Sequence, residues 1–181
     1  KLLLATAKDI RTLIIKLVDR LDNLRSLGIF KPEKRQRIAR ETLLVYAPLA
    51  HLLGIWEIKS QLEDLSFKYL YPEEYERVKN FVGKARKELE EYLKKYIIPP
   101  LREELKKANI NAEIKYRSKH LYSIWEKTKR KGISLEEVHD ILGVRVITDT
   151  VAQCYSVLGI VHQLWKPVAG KFKDYISTPK P

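Results

Sequence analysis

The sequence predicts an α+β protein in which a helical part comes first and a part mixing helix with strand follows. Apolar residues recur at three- and four-residue steps through the first part, and from Ala112 onward short β-branched runs alternate with helical ones. At 181 residues with 45% hydrophobic side chains, the chain can bury a real core in one or two folded units. The boundary is expected near residue 109, giving parts 1–109 and 110–181, with no internal repeat and no low-complexity tract.

Ile10, Leu13, Ile14, Leu17, Leu21 and Leu24 form the stripe of an amphipathic helix over residues 9–27, which Gly28 stops. Lys31-Pro32-Glu33 opens a second helix toward Leu53, with proline in the first turn and an acid suited to the dipole. Pro48 must kink or divide that helix, and Gly54 closes it. A third helix is expected over 57–70. A long fourth starts at Pro72 and ends at Pro99-Pro100, and a short one follows over 101–108. Ala112 to Arg117 alternates like a strand, and 121–130 reads as a helix. Gly143 to Thr148 is a β-branched run of the kind that forms a buried strand, 150–164 is helical, and Phe172 to Ser177 reads as a further strand.

Lys and Arg outnumber Asp and Glu by 35 to 23, so a net charge of +12 points to anionic partners. Nucleic acid and a polyphosphate pocket both fit that excess, and only placement can separate them. Cys154 is the only cysteine, which rules out an internal disulfide and suggests a packed thiol in a reducing, cytoplasmic setting. No run reaches the roughly 18 apolar residues of a membrane span. Methionine is absent, and the chain stops at Pro179-Lys180-Pro181 in what reads as a loop, so both ends are expected to be cuts in a longer protein.

Asp19, Asn23 and Ser26 are spaced by four and three on the first helix and could line a pocket together, or be a solvated face. Lys115, Arg117, Lys119, Lys127, Lys129, Arg130 and Lys131 face a single acid, Glu126. On an alternating strand Lys115, Arg117 and Lys119 share one side, and the next helix offers Ser123 and Lys127 one turn apart. Backbone donors at that helix start, with these cations, suit a polyphosphate, and a nonspecific RNA-binding strip is the other reading. Asp140, just ahead of the second strand, could hold magnesium against phosphate oxygens or form a simple cap or ion pair. Lys171 and Lys173 alternate beside Asp174 and Tyr175, with Lys180 beyond, and could neutralise a transferring phosphoryl group.

The run from Lys16 to Arg25 (Lys-Leu-Val-Asp-Arg-Leu-Asp-Asn-Leu-Arg) resembles the hydrolase-domain helix of RelA/SpoT-type alarmone enzymes. Ala47-Pro48-Leu49-Ala50 and Leu62-Glu63-Asp64-Leu65 resemble the helices that follow it. Lys115 to Ile124 resembles the family's Gly-Arg-x-Lys-x-x-Tyr-Ser-Ile signature. Asp140 to Arg145, Cys154 to Gly159 and Phe172 to Ile176 continue the series in the family's order. Departures occur at Asp22 for the usual His, Leu52 for a common Arg, Tyr116 for Gly and Lys171 for Arg.

The resemblance implies the helical C-terminal part of an HD-type hydrolase domain with connecting helices over 1–109. The N-terminal part of a nucleotidyltransferase-like α/β synthetase domain is implied over 110–181. It implies a bifunctional enzyme that transfers pyrophosphate from ATP to the 3′-hydroxyl of GDP or GTP and hydrolyses (p)ppGpp. Arg117, Lys119, Ser123 and Lys127 are then assigned to ATP, Asp140 to magnesium, and Lys173 and Lys180 to phosphates near the acceptor, with Lys173 catalytic. Asp19 is assigned as the last manganese ligand, and Asn23 and Ser26 to the hydrolase pocket. The family's remaining metal ligands are expected upstream of Lys1 and its guanine-stacking tyrosine beyond Pro181, so the chain by itself is expected to be inactive. Ribosome or tRNA contacts would lie in regulatory regions outside it. A basic helical module that binds RNA, or an interdomain regulatory linker, is the alternative.

Overall fold

The computed structural model describes residues 9–179, and its contacts divide into two compact units. The first takes the chain up to Gly83 together with Lys119–His139; the second takes Lys84–Ser118 together with the chain from Asp140 onward. Helix gives way to strand at the place the sequence suggests, but the units interleave and do not follow a single cut there.

In the first unit, helix α1 (Ile10–Arg25) is opened by Asp9, whose carboxylate accepts the Arg11 N–H at 2.9 Å. Leu17, Leu21 and Leu24 are buried as the spacing predicts. Ile10 and Ile14, expected in the same stripe, are 59% and 37% exposed. The helix ends at Ser26, and a 3₁₀ turn (Leu27–Ile29) follows, so the stop precedes Gly28. Helices α2 (Pro32–Glu41) and α3 (Ala47–Leu52) are joined by a wide π turn (Thr42–Tyr46) in which the Ala47 N–H reaches the Thr42 carbonyl, five residues back. Pro48 sits in the first turn of α3. Its missing donor and bulky ring would disrupt an ordinary α turn, and the widened turn ahead of it removes the conflict. Gly54, at φ +71°, closes α3 before α4 (Trp56–Leu70). The core joins Leu17, Leu21, Leu24 and Leu27 of the first helix and turn to Ala50 and Leu62.

Helix α5 (Pro72–Tyr92) is followed by a second π turn (Leu93–Ile97), where the Ile98 N–H bonds the Leu93 carbonyl, and then by α6 (Ile98–Lys107). The expected break at Pro99-Pro100 is therefore absent. The pair lies in the first turn of α6, which starts at Ile98 rather than Leu101 and runs straight on from the π turn, whose widened ring makes room for residues without an N–H. Beyond α6, Asn109 takes the left-handed conformation (φ 54°) that asparagine tolerates, and Ile110 donates back to the Leu105 carbonyl.

In the second unit, β1 (Glu113–Ser118) and β2 (Leu142–Ile147) form an antiparallel pair, with Lys115 opposite Arg145 and Arg117 opposite Gly143. Expected to be a buried strand, β2 instead alternates half-buried with exposed residues, because one face alone is covered. Ile114 and Val146 supply that covered face, packing with Leu101, Leu105 and Val157. Helix α7 (Leu121–Lys131) belongs to the first unit, and α8 (Val151–Leu164) to the second. A capping box between Thr150 and Gln153 opens α8. Cys154, expected to be packed, is exposed on this helix with its sulfur 3.1 Å from the Thr148 hydroxyl. Residues 172–177, expected to be a strand, are irregular over 172–174 and form a turn over 175–177. The Asp174 carboxylate captures the backbone N–H groups of Ile176 and Ser177, each at 2.9 Å, so these donors are not free for a sheet ladder. Among the described residues, no helix is long and apolar enough to cross a membrane.

Candidate nucleotide-binding residues

Asp19 and Asn23 are exposed on α1, off the buried leucine stripe. Ser26 is the C-cap of that helix, and its hydroxyl donates to the Asn23 carbonyl at 3.3 Å. Its hydroxyl therefore serves the helix end in this state. Among the described residues, no three His, Cys, Asp or Glu side chains gather where they could hold a metal ion. Asp19 and Asp140 each bring a single carboxylate, one of the several converging ligands that a divalent cation requires.

The start of α7 is built by α4. The Asp64 carboxylate accepts the backbone N–H of Tyr122 at 2.8 Å and of Leu121 at 3.3 Å. Those are the first donors of the helix, and they were the expected seat for a phosphate. Two of the helix's first donors are therefore occupied, and an anion would meet α7 chiefly through side chains. Beside Asp64, the Glu63 carboxylate lies 2.6 Å from His120 Nε2 and 2.7 Å from Lys59 Nζ. Burial works to raise the Glu63 pKa, but His120 and Lys59 outweigh it and hold the carboxyl below its ordinary value. Burial raises the Asp64 pKa, and the Tyr122 N–H only partly offsets the effect. Sequence alone left Glu63, Asp64 and His120 without a role; acids and a histidine were visible, but not that residues 57 apart would meet.

Along α7, Ile124 and Thr128 turn inward, and Ser123 and Lys127 follow them round the helix, half-buried and one turn apart. Phe67 of α4 packs on Trp125 and Tyr122, with ring centroids 4.9 and 5.9 Å apart. Lys129, Arg130 and Lys131 occupy the last turn, where cations favour the helix dipole, and Gly132 ends it at φ 63°. Lys119, half-buried, lies beyond the end of β1 rather than on the strand.

Lys115 and Arg117 share the exposed face of β1, and antiparallel pairing puts Arg145 of β2 directly across from Lys115 on that face. Glu113 pairs with Lys115 at 2.9 Å, an exposed bridge of little energetic weight. Like charges directly opposite destabilise a sheet, so this face favours a bound anion. Arg145 went unassigned because strand register is not written in either strand alone. Tyr116, where the family has Gly, sits opposite Val144. Asp140 is exposed two residues ahead of β2. Lys173 lies exposed in the irregular segment after α8, and the Tyr155 hydroxyl donates to Asp174 at 3.1 Å, tying its neighbour to that helix. Backbone donation from Ser177 is the largest influence keeping the Asp174 carboxyl below its ordinary value. Lys180 lies outside the described residues.

Two family profiles match: an HD domain over residues 1–56, and the region found in RelA / SpoT proteins over residues 116–181. A guanosine-3′,5′-bis(diphosphate) 3′-pyrophosphohydrolase of Aquifex aeolicus is 67% identical over 181 residues, covering 100% of this chain and 26% of the relative. A GTP pyrophosphokinase of Myxococcus xanthus is 45% identical over all of this chain and 24% of its own length. A bifunctional (p)ppGpp synthase/hydrolase of Mycobacterium tuberculosis is 43% identical over 99% of this chain and 24% of its own length. The order of the matched regions, a hydrolase-type helical part and then the start of a synthetase region, defines the class. The chain belongs to the RelA/SpoT family and spans about a quarter of the length of these relatives. HD-type hydrolases and pyrophosphokinases generally work with divalent metals, and the family acts on ATP, GDP or GTP and (p)ppGpp.

Proposed function

We propose that this chain is a working part of a cytoplasmic enzyme that makes and degrades guanosine tetra- and pentaphosphate. The observation that carries the reading is 67% identity over all 181 residues to a relative named for the hydrolytic reaction, beside relatives named for the synthetic one. In synthesis, pyrophosphate passes from ATP to the 3′-hydroxyl of GDP or GTP. Arg117, Lys119, Ser123 and Lys127 bind the ATP phosphates, Lys173 stabilises the transferring group, and Lys180 meets phosphates near the acceptor. The exposed cationic face of β1 and β2 supports this, because fixed cations favour charge that builds on phosphate oxygens. Asp140 supplies one ligand for magnesium and Asp19 one for manganese, with the other ligands outside the described residues; Asn23 and Ser26 belong to the hydrolytic pocket. Residues 1–109 serve the hydrolase half and 110–181 the synthetase half.

Calorimetry of ATP with magnesium tests the reading on this chain. Arg117→Ala should weaken binding by about 1.5 to 3 kcal/mol, the size of one charge-assisted contact, and leave the melting temperature unchanged. Steeply salt-dependent binding of RNA, with none of nucleotide, would replace the enzyme reading with that of a basic RNA-binding module.

A further inference from the structure

The geometry points to Glu63 and Asp64 of α4 as positioning residues for the nucleotide-binding side of α7. The inference rests on the reading that Ser123 and Lys127 hold ATP. A local cap would satisfy the end of α7 without fixing where the helix points. His120 stands at the N-cap position and makes no side-chain cap bond of its own; its ring is turned to Glu63 instead. The cap comes from Asp64, whose two oxygens each take one of two consecutive N–H groups. Such a two-point grip fixes the helix along its axis and in rotation about it.

One turn further along α4, Phe67 packs against Trp125 and Tyr122, so charge holds the start of α7 and rings hold its body. Ser123 and Lys127 are one turn apart, and a slip of α7 by one residue would swing both away by about 100°. With two of the first backbone donors taken by Asp64, these side chains are the main thing α7 has to offer a phosphate, and their aim depends on α4. Glu63 and Asp64 lie in residues 57–115, which neither family profile covers. The proposed ATP side chains lie in the matched synthetase region, so the support for α7 comes from outside that region.

The test measures ATP affinity, with magnesium, for the unaltered 181-residue chain and its Asp64→Ala, Asp64→Asn, Glu63→Gln, Lys127→Ala and Leu62→Ala variants. Hydrogen exchange at the Leu121 and Tyr122 amides is followed in parallel. Asp64→Ala and Glu63→Gln should each weaken ATP about tenfold or more, the scale of a misplaced contact. Asp64→Asn, which keeps an acceptor oxygen, should fall between Asp64→Ala and the unaltered chain. Faster exchange at the two amides should accompany the loss in the Asp64 variants. Leu62→Ala lowers stability from the same helix without touching the clamp, and should leave affinity unchanged. Should Asp64→Ala fail to fold, Asp64→Asn and Glu63→Gln carry the same test. If Lys127→Ala weakens ATP while the Glu63 and Asp64 variants bind like the unaltered chain, or if Leu62→Ala weakens it as much as they do, the positioning role is wrong. If Lys127→Ala has no effect, or the unaltered chain binds no ATP, the nucleotide reading of α7 falls and takes this inference with it.

Discussion

Replacing Glu63 by Gln should lower stability at neutral pH and cost less in acid. Glu63 is 9% exposed and makes two charge-assisted contacts, to His120 at 2.6 Å and to Lys59 at 2.7 Å. Each such contact is worth about 1.5 to 3 kcal/mol, and the amide recovers part of that by sparing the desolvation of a carboxylate. A net loss of about 2 kcal/mol remains, which for a chain of this size lowers the melting temperature by about 4 to 8 °C. The folded state holds the Glu63 carboxyl below its ordinary value of 4.5, so its stabilisation is complete above that value. It disappears as pH falls through the lower folded value. Asp64 has the opposite sign: burial raises its folded pKa above 3.8, so its contribution weakens as pH rises through that window. Subtracting the Glu63→Gln melt from that of the unaltered chain isolates Glu63. Thermal melts followed by circular dichroism should show the full gap at about pH 7 and a smaller one in acid, below the carboxyl's ordinary 4.5. An equal gap at both pH values, or none at neutral pH, would refute the ion-pair account.

Phe67→Ala removes a fully buried ring at the centre of the aromatic cluster and should cost about 3 to 5 kcal/mol, read in a denaturant titration together with loss of near-ultraviolet dichroism from Trp125. A loss under about 1 kcal/mol would mean that α7 does not depend on this packing. The chain should not hold manganese at micromolar concentration, because one carboxylate cannot make a coordination sphere. Stoichiometric binding in a calorimeter, abolished by Asp19→Asn, would contradict that.

The helices were legible wherever local chemistry decides. Leu17, Leu21 and Leu24 recur at helical steps and are buried, and Thr150 with Gln153 spells out a capping box. Proline was harder to read, because its effect depends on the turn before it. Both Pro48 and the Pro99-Pro100 pair follow a π turn, and the latter pair lies inside the start of a helix rather than ending one. Ile10 and Ile14 have the right spacing for a core but no neighbour among the described residues that covers them. At Phe172 to Ser177 the β-type composition was outweighed by one side chain, since Asp174 bonds the local backbone itself. Of the candidate site, the cations and their alternation were visible in the sequence. The pairing that puts Arg145 across from Lys115, and the clamp of Glu63 and Asp64 on α7, were not, because both depend on contacts between distant segments.

The central claim is best tested with radiolabelled ATP and GDP on thin-layer plates, comparing this chain with a form extended to the length of its relatives. The account predicts no guanosine tetraphosphate from the 181-residue chain, because transfer needs an oriented acceptor hydroxyl as well as a held donor. It predicts product from the extended form, and a loss of orders of magnitude when Asp140→Asn removes a charged metal ligand while keeping its shape. Product from the 181-residue chain, or undiminished product from the extended Asp140→Asn variant, would contradict it.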